Sequence, residues 1–503
     1  MNATLTAVGR ERPTLLPPFV VTAFLVAIVL PLEVSIAGTV FTSVRVVVLL
    51  AVIPLLIGLL RGHYGRVLLV DWLFIAHTAW MGISLGVTTP QMAISQFGSV
   101  GSDFLGSYLI GRCLIRDWRG FVSTIWLALC LLLFLLPFVV VEMLTGQPPI
   151  INILDKLPFV HSFAPVWTEP RMGLERAQAV FPHPIHFGLF SASLVALVYT
   201  GLNDLLAKWQ RFFLLGLVAF GTFASLSSGA LLPMILQVAL IGWGIAMHKV
   251  PRKWLILGIL CIAGYIVLEV FSTRSAMIAI LTRLTFSSHN VYWRSIIFEW
   301  GWMNIFGSVE NGIPPARLFG IGFNDWIRPS YMYSGSMDNF WLVMGVRHGI
   351  PGFLTVAGGM GWLIWKAAQH DMGADRVVND IRLAWVLTFI CLGLSMATVH
   401  AWGTIYDYIF FLFGSGAWLT TYVPAAETGA EPMAGSSSPG GRRTPVYSRF
   451  GDQAASSSEA PSHSHRSADP VPGPRPVLLR HEDTTRSYRR PALGAPDSPT
   501  RRG

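Results

Sequence analysis

The sequence predicts an all-α membrane protein, a polytopic bundle of about twelve transmembrane helices with one large outer loop that contains short helices. Three observations lead to this prediction. Of the 503 residues, 53% are hydrophobic and only 13% are charged. Apolar runs of about 18 or more residues recur along the chain, which is the length that crosses a bilayer. The short alternating segments that are typical of a membrane β-barrel are absent from the sequence.

The predicted spans follow one another through short polar connections. The fourth is the least regular, because Gln96, Ser99, Ser102 and Asp103 interrupt it. The first follows a polar head (residues 1–14) and lacks a small-residue cleavage pattern, so it is predicted to be a retained span rather than a signal peptide. The spans are predicted at 15–33, 38–60, 67–88, 92–112, 119–143, 180–201, 210–226, 229–247, 253–270, 351–369, 382–400 and 403–422.

Positive charges in alternate short loops predict the orientation of the bundle. These loops are expected to be cytoplasmic, together with both termini, and the segments 144–179 and 271–350 then lie outside. The first nine helices occupy 15–270, the large outer loop 271–350 and the last three helices 351–422. The charged loops carry Arg61, Arg66, Arg112, Arg116, Arg119, Lys208, Arg211, His248, Lys249, Arg252, Lys253, Lys366, Arg376 and Arg382.

Composition excludes several other classes of protein. Residues 423–503 are rich in Gly, Ser, Pro, Arg and His, and are predicted to be a disordered cytoplasmic tail. The four cysteines lie in or beside apolar runs and show neither a disulfide framework nor metal spacing. The formal net charge of +9 comes from arginines spread over short loops and the tail. This distribution is typical of membrane topology, so no nucleic acid partner is predicted.

Polar residues cluster at the ends of the predicted outer segments. Arg176 precedes the sixth span, where it is either an interfacial anchor that snorkels towards water or a phosphate ligand. His183 and His186 have a spacing that can bind metal on a helix, but Pro184 lies between them and no third ligand is near, so structural roles are favoured. The stretch SLSSGALLP (residues 225–233) is a small-residue outer turn that allows close helix packing.

The large outer loop holds a second set of polar residues. A loop of this length is usually functional. Arg294 lies in NVYWRSIIFEWGW, where it is either a surface arginine, salt-bridged to Glu299 or stacked, or a functional residue. Asp338 precedes a helical stretch, so it is either an N-cap or a catalytic carboxylate. The glycines of LFGIGFNDW predict a turn between the two.

The order of these motifs resembles the O-antigen ligase and O-antigen polymerase superfamily of bacterial polysaccharide assembly. It runs from a pre-span arginine with FPHP, through a serine-rich turn and an arginine after the ninth span, to GIGF, DNFWL and GIPG. The resemblance covers roughly residues 20–420. It implies a multi-pass protein of the bacterial inner membrane that acts on a polyprenyl-pyrophosphate-linked glycan, usually on undecaprenyl pyrophosphate, at the outer face. It implies neither a nucleotide nor a metal.

The resemblance also implies roles for particular residues. A pyrophosphate leaving group gains charge as its bond breaks, and fixed guanidinium groups stabilise that charge. Arg176 and Arg294 are expected in this role and Asp338 as a catalytic carboxylate. Contacts with substrate are expected from Arg347, His183, Trp293, Asn339 and Trp341. A regulator of chain length and export machinery are expected as partners.

The chain departs from the family pattern at two positions. Ligases carry a histidine in a His-x10-Gly pattern. In this chain the glycine of the pattern is Gly349, and the histidine position is taken by Asp338, whose carboxylate is a weaker base than imidazole. The family's Ser-Arg-Gly is Ser227-Ser228-Gly229 in this chain. Both departures favour an exopolysaccharide polymerase over a lipid A ligase.

Other functions compete with this interpretation. A transporter of polysaccharide precursors places ionisable groups within its spans, and here only Asp71, Asp103 and Asp407 are candidates. A non-catalytic scaffold of an export complex is a third class. The loop tryptophans, among them Trp300, Trp302 and Trp326, are expected either to stack on sugars or to anchor the loop at the membrane interface.

Overall fold

The computed structural model describes residues 17–36, 39–157, 161–271, 288–332 and 334–424, and these are mostly helical. The predicted head, residues 272–287 of the predicted outer loop and the tail beyond residue 424 lie outside the described residues. The helices are α1 (Phe19–Val29), α2 (Ser43–Leu60), α3 (Leu69–Thr88), α4 (Pro90–Gln96), α5 (Ser102–Leu114), α6 (Trp118–Thr145), α7 (Pro149–Leu154), α8 (Pro184–Ala196), α9 (Lys208–Ala224), α10 (Ser228–Ala246), α11 (Lys253–Phe271), α12 (Ser288–Phe306), α13 (Phe340–Gln369), α14 (Arg376–Ser395) and α15 (Thr404–Gly414). Single π turns join α4 to α5 at Phe97–Gly101 and extend α8 through Leu197–Gly201.

Eight of these helices are long and apolar enough to cross a membrane. They are α2, α3, α6, α8 with its π turn, α10, α11, α13 and α14. Each coincides with one of the predicted spans, and α13 extends its span towards the N-terminus. The prediction of a polytopic helical membrane protein is therefore confirmed at this coarser level.

The other four predicted spans are also helical, but each helix is short. α1 and α15 have 11 residues each, and α9 has 17. The predicted span 92–112 is divided between α4 and α5 by the π turn, where the polar residues noted in the sequence occur. Helix length and composition thus support eight spans in the described residues. The count of twelve remains a prediction from the apolar runs and the alternation of charged loops.

A β-hairpin between the first two spans was not predicted, so the all-α description was incomplete. β1 (Glu33–Ile36) pairs antiparallel with β2 (Thr39–Thr42), with Glu33 opposite Thr42. The backbone N–H of Glu33 also donates to the carbonyl of His161, at 2.8 Å. The β-branched residues of EVSI and TVFT suit a strand, but TVFT extends the second apolar run and was assigned to that span, and of EVSI only Glu33 fell within the first span.

The helices pack around α5 and α8. α5 lies between α2 and α15, α8 lies against α9 and α10, and α13 runs along α3. α8 with its π turn is the most enclosed candidate span, with 83% of its residues buried, whereas α11 has no buried residue. α8 therefore lies in the most enclosed part of the bundle, where side chains are closely packed.

Two acidic residues of the spans form ion pairs with arginine. Arg45 donates to both carboxylate oxygens of Asp103, at 3.2 and 2.7 Å. Arg112 does the same for Asp71, at 3.2 and 3.3 Å. Buried charges are tolerated when paired in this way, so these carboxylates have structural partners.

Residues of two charged loops lie at the C-terminal end of α10. Lys253 donates there to the carbonyl of Gly244, at 2.8 Å, and one cavity is lined by Arg211, Lys253 and Asp380. At the N-terminal side of α10, Leu226 accepts a hydrogen bond from Arg171. These positively charged loop residues and Arg171, from a segment predicted to be outside, thus lie at opposite ends of α10.

A break at Gly349 divides α13 into two helical parts. Gly349 has φ 71° and ψ −177°, a conformation open only to glycine, and Pro351 supplies no N–H. The carbonyls of Val346 and Arg347 therefore lose their helical partners. They accept instead from the N–H groups of Ile321 and Gly322, at 2.8 and 3.0 Å. The GIGF motif thus docks its turn on the broken helix.

We predict that Gly349→Ala destabilises the protein by about 1–3 kcal/mol or more, because the alanine would be held in a strained conformation. Its Cβ would also meet the carbonyl of Leu318. The measurement is thermal unfolding of the purified protein. Gly361→Ala is the matched control on the same helix, with nothing within 4 Å of the added Cβ, and should leave the midpoint unchanged or slightly higher. Equal midpoints for the two variants would contradict this account of the break.

Candidate functional site

The turn between α9 and α10 forms the floor of the candidate site. Three successive carbonyls at the end of α9 accept donors from the segment that precedes α8. Ala224 accepts the N–H of Ala177 at 3.0 Å, Ser225 accepts Nε of Arg176 at 3.3 Å, and Leu226 accepts Nη1 of Arg171 at 2.6 Å. The two arginines thereby satisfy free carbonyls at a helix C-terminus, where cations are favoured.

This capping role uses only part of each guanidinium. A guanidinium has five N–H donors, and within the described residues one donor of Arg171 and one of Arg176 are engaged. Leu226, which receives Arg171, has φ 44°, a strained conformation for a leucine. Strain of this kind is often retained where backbone is held for a function, and here it presents the carbonyl to Arg171.

The buried carboxylate of Glu142 holds the arginine-bearing segment in place. Glu142, on α6, accepts the backbone N–H groups of Gln178 and Ala179, at 2.8 and 2.9 Å. The Gln178 side chain in turn accepts the N–H of Val166 at 2.7 Å. An irregular segment that carries Arg176 is thus fixed to the helical bundle by charge-assisted hydrogen bonds.

Arg294 reaches the same turn from α12. Ile296 and Ile297 are buried in the core, and Gly301 packs closely against Leu342 of α13, so the orientation of α12 is fixed. A Cβ on Gly229 would lie 3.8 Å from Nη2 of Arg294, which places the guanidinium beside the first turn of α10. The expected salt bridge to Glu299 does not form, and Arg294 has no hydrogen bond or ion pair among the residues that the structure describes.

Asp338 lies close to the arginines and is not the helix cap. The side chain of Asn339 caps α13 by accepting the N–H of Leu342 at 3.0 Å, so the N-cap interpretation of Asp338 was wrong by one residue. Asp338 is exposed and accepts a hydrogen bond from the hydroxyl of Ser336, at 2.7 Å. Its carboxylate interacts electrostatically with Arg294 and His183. It remains available for chemistry at the mouth of the site.

His183 caps α8 at the edge of the site. Its Nδ1 accepts the N–H of Ile185 at 3.1 Å, which assigns the proton of the neutral ring to Nε2. Burial, with a smaller contribution from Arg176, lowers the pKa of His183 to about 4, so the ring is neutral at physiological pH. Nδ1 is therefore committed to the helix, and Nε2 is left as a hydrogen-bond donor.

The electrostatic balance of the site is strongly positive. We define the arginine cluster as Arg171, Arg176 and Arg294. Burial and the neighbouring Arg171 lower the pKa of Arg176 to about 10, and burial also lowers that of Arg294, but both remain charged at neutral pH. In the described part of the chain no carboxylate forms an ion pair with the cluster. An anion is the ligand that would balance these charges.

Helix geometry adds to this preference for an anion. The first residues of α8, α10 and α13 all lie around the cluster, and helix N-termini carry partial positive charge. His183 and Asn339 cap α8 and α13, but α10 has no side-chain cap. The first N–H groups of α10, those of Ser228 and Gly229, therefore have no capping side chain, and Gly229 lies beside Arg294, an arrangement that suits phosphate oxygens.

The remaining predicted residues make contacts with other parts of the fold. Trp341 donates to the carbonyl of Gly393, at 2.8 Å, and packs between α13 and α14. Trp293 packs against Tyr292 and Tyr331. Arg347 lies over the Phe323 ring, 4.6 Å from its centroid, in a separate cavity. Asn339 acts as a cap, as described above.

Two residues of the site, Arg171 and Glu142, were not predicted from the sequence. Arg171 lies in a long irregular segment without periodicity, and its partner Leu226 is 55 residues away. Glu142 sits near the end of an apolar span, where an acidic residue can be noticed but its backbone partners cannot be predicted. A carboxylate inside a span is the signal that would have directed attention to Glu142.

Comparison with models of known protein families and with characterised proteins gives no match. The relation to the O-antigen ligase and polymerase superfamily therefore remains a resemblance in motif order and topology.

We predict that His183→Asn reduces the acid sensitivity of the fold. Between about pH 6.5 and pH 4 the unfolded chain binds a proton at His183 that the folded protein does not, so wild-type stability falls as the pH falls through that window. Asparagine keeps a capping oxygen but does not titrate. The free energy of unfolding, measured near pH 7 and pH 5, should therefore drop less in the variant than in the wild type, by up to about 1.4 kcal/mol per pH unit. The same drop in both proteins would show that His183 is not buried in neutral form.

Proposed function

We propose that this protein is a membrane glycosyltransferase that polymerises polyprenyl-pyrophosphate-linked oligosaccharide repeats into a surface polysaccharide or exopolysaccharide. One observation carries the proposal. The arginine cluster, which forms no ion pair with a carboxylate in the described part of the chain, surrounds the uncapped start of α10 beside the exposed carboxylate of Asp338. A strong anion site next to one carboxylate suits a reaction with a pyrophosphate leaving group.

The location of the site supports this proposal. We place the arginine cluster at the outer face of a bacterial inner membrane, with about twelve spans and both termini in the cytoplasm. Residues of two positively charged loops lie at the opposite end of α10, as the positive-inside rule requires. A lipid-linked donor would then keep its polyprenyl chain in the bilayer while its pyrophosphate enters the cluster.

The proposed reaction is a displacement at the anomeric carbon. A hydroxyl oxygen of the acceptor glycan bonds to that carbon as the bond to the pyrophosphate oxygen breaks, and the electron pair leaves with the lipid pyrophosphate. The negative charge on the leaving group rises in the transition state, so guanidinium groups bind it more strongly there than in the ground state. Each such charge-assisted hydrogen bond contributes roughly 1.5–3 kcal/mol.

Asp338 is the group best placed to receive the proton of the acceptor hydroxyl. It is exposed, while Ser336 donates to one of its oxygens and leaves the other for substrate. Arg294 and His183 lie near enough to orient it. A proton-accepting role of this kind contributes about 100-fold to 10,000-fold to a rate.

A surface-polymer ligase would use the same site with a different acceptor. The transporter alternative receives less support, because Asp71 and Asp103 are each engaged by an arginine and so are not free to bind cargo. Polymer length, attachment of polymer to its acceptor and accumulation of lipid-linked precursor distinguish the polymerase, the ligase and the transporter.

We predict that Arg294→Lys abolishes long polymer in cells. Lysine keeps the charge but loses the planar fork that binds two phosphate oxygens, and the loss of one such contact lowers a rate about 100-fold to 1,000-fold. The measurement is polymer length on gels, from a strain deleted for this protein and complemented with wild type or variant.

The matched control is Arg317→Lys, an exposed arginine of the same segment whose guanidinium donates to the carbonyl of Phe306 and lies over its ring. It should restore normal chain length. Long polymer with Arg294→Lys would remove the arginine cluster from catalysis. Normal polymer in the deletion strain, left unattached to its terminal acceptor, would indicate a ligase, and intracellular accumulation of lipid-linked precursor would indicate a transporter.

A second prediction concerns Asp338. We expect Asp338→Asn to lower the rate of polymerisation by purified protein about 100-fold or more, because the amide cannot accept the hydroxyl proton. Ser336→Ala removes one hydrogen bond to the carboxylate and should cost much less. If Asp338→Asn retains the wild-type rate, Asp338 only positions substrate.

A further inference from the structure

A second cavity lies close to the arginine cluster. Its volume is about 280 Å³. It is enclosed by the GIGF turn, the segment before α13, the first part of α13 and the loop after α14. Its lining includes the side chains of Phe323, Asp325, Trp326, Ser336, Arg347 and His400.

Arg347 brings an uncompensated charge into this cavity. The break at Gly349 and the docked turn fix its backbone, since its carbonyl accepts the N–H of Gly322 at 3.0 Å. Its guanidinium stacks on Phe323, which lines the same cavity. No hydrogen bond or ion pair to the Arg347 side chain occurs in the described ranges, so all five N–H donors are available to a ligand.

His400 gives the cavity a neutral polar wall. It lines the cavity from the loop after α14, and burial, together with Arg347, lowers the pKa of its ring to about 3, so the ring is neutral. A sugar hydroxyl in the cavity would hydrogen-bond to the ring at Nε2, because Nδ1 is enclosed by the protein.

The acidic residue of the cavity does not oppose an anion. Arg328 donates to Asp325 at 2.6 Å and neutralises it. Arg347 is then left as the net charge, next to the aromatic walls formed by Phe323 and Trp326. Aromatic walls, scattered hydroxyl and amide groups and one cation match a sugar ring that carries an acidic group.

The cavity is joined to the reaction centre through one hydrogen bond. Ser336 lines the cavity and donates to Asp338, at 2.7 Å. A sugar in the cavity would therefore lie beside the side chain that donates to Asp338, which is where an acceptor glycan has to bind if Asp338 receives its proton.

We propose that this cavity binds an anionic sugar residue of the acceptor glycan, with its carboxylate or phosphate on Arg347 and a hydroxyl on His400. The acceptor role rests on the proposed function, whereas binding of an anionic sugar can be tested without it.

The test is saturation-transfer NMR on the full chain in lipid nanodiscs, with glucuronate, glucose and glucose 6-phosphate as probes. We expect clear transfer to at least one anionic sugar and about tenfold weaker binding of glucose, which lacks the charge-assisted contact. The stronger of the two anionic probes identifies the acidic group as carboxylate or phosphate.

Arg347→Gln should reduce binding of the anionic sugar to the level of glucose. Arg317→Gln, the same charge change in the same segment, should leave it unchanged. If Arg347→Gln does not fold, the salt dependence of the wild type replaces it, since added salt should weaken binding of the anionic sugar and not of glucose.

Equal binding of glucose and both anionic sugars overturns the proposal, and so does unchanged binding in Arg347→Gln. Failure of the polymerase assignment has a different signature. Long polymer in the Arg294→Lys strain together with binding that depends on Arg347 would retain the anionic-sugar site and remove only its acceptor role.

Discussion

The break in α13 at Gly349 is the constraint on which both sites depend. A continuous helix would satisfy its own carbonyls and would leave the GIGF turn without a docking surface. The broken helix instead offers the carbonyls of Val346 and Arg347, and the turn binds them through Ile321 and Gly322. Trp80 of α3 donates to the next free carbonyl, that of His348, at 2.8 Å. These bonds fix the first part of α13. Asp338 lies just before this part and Arg347 near its end, so the bonds also set the separation of the two sites.

The bundle treats its buried arginines in two different ways. Arg45 and Arg112 are paired with Asp103 and Asp71 and hold helices together, which is the way in which buried charge is usually made tolerable. The arginine cluster and Arg347 have no such partner in the described part of the chain. Keeping charges partly buried without a counterion costs folding free energy, and that cost is understandable when an anionic ligand supplies the missing charge. This contrast, rather than the number of arginines, separates the candidate functional set from the structural set.

Local patterns in the sequence predicted the helices well, because bilayer length and hydropathy act on each segment separately. They failed at the hairpin, where β-branched residues extended an apolar run, and at the cap of α13, where Asp338 and Asn339 are both good capping residues. Arg176, His183, Arg294 and Asp338 were expected in one site from motif order. The structure brings Arg176 and Arg294 to the α9–α10 turn, and His183 and Asp338 interact electrostatically with them. Arg171 and His400 were missed because their roles arise from contacts between segments far apart in the sequence, which no periodicity records.

Two cationic sites near one carboxylate have a consequence for the proposed reaction. Donor and acceptor would both be anionic, so a single positive site would bind either in either orientation. Arg294 and its neighbours offer several guanidinium groups and helix N–H groups, which suits the multiple charges of a pyrophosphate. Arg347 offers one guanidinium between aromatic walls, which suits one acidic group on a sugar ring. Under the proposed function, this difference in charge would sort the two substrates, and the carboxylate of Asp338 would select which hydroxyl of the acceptor attacks the anomeric carbon.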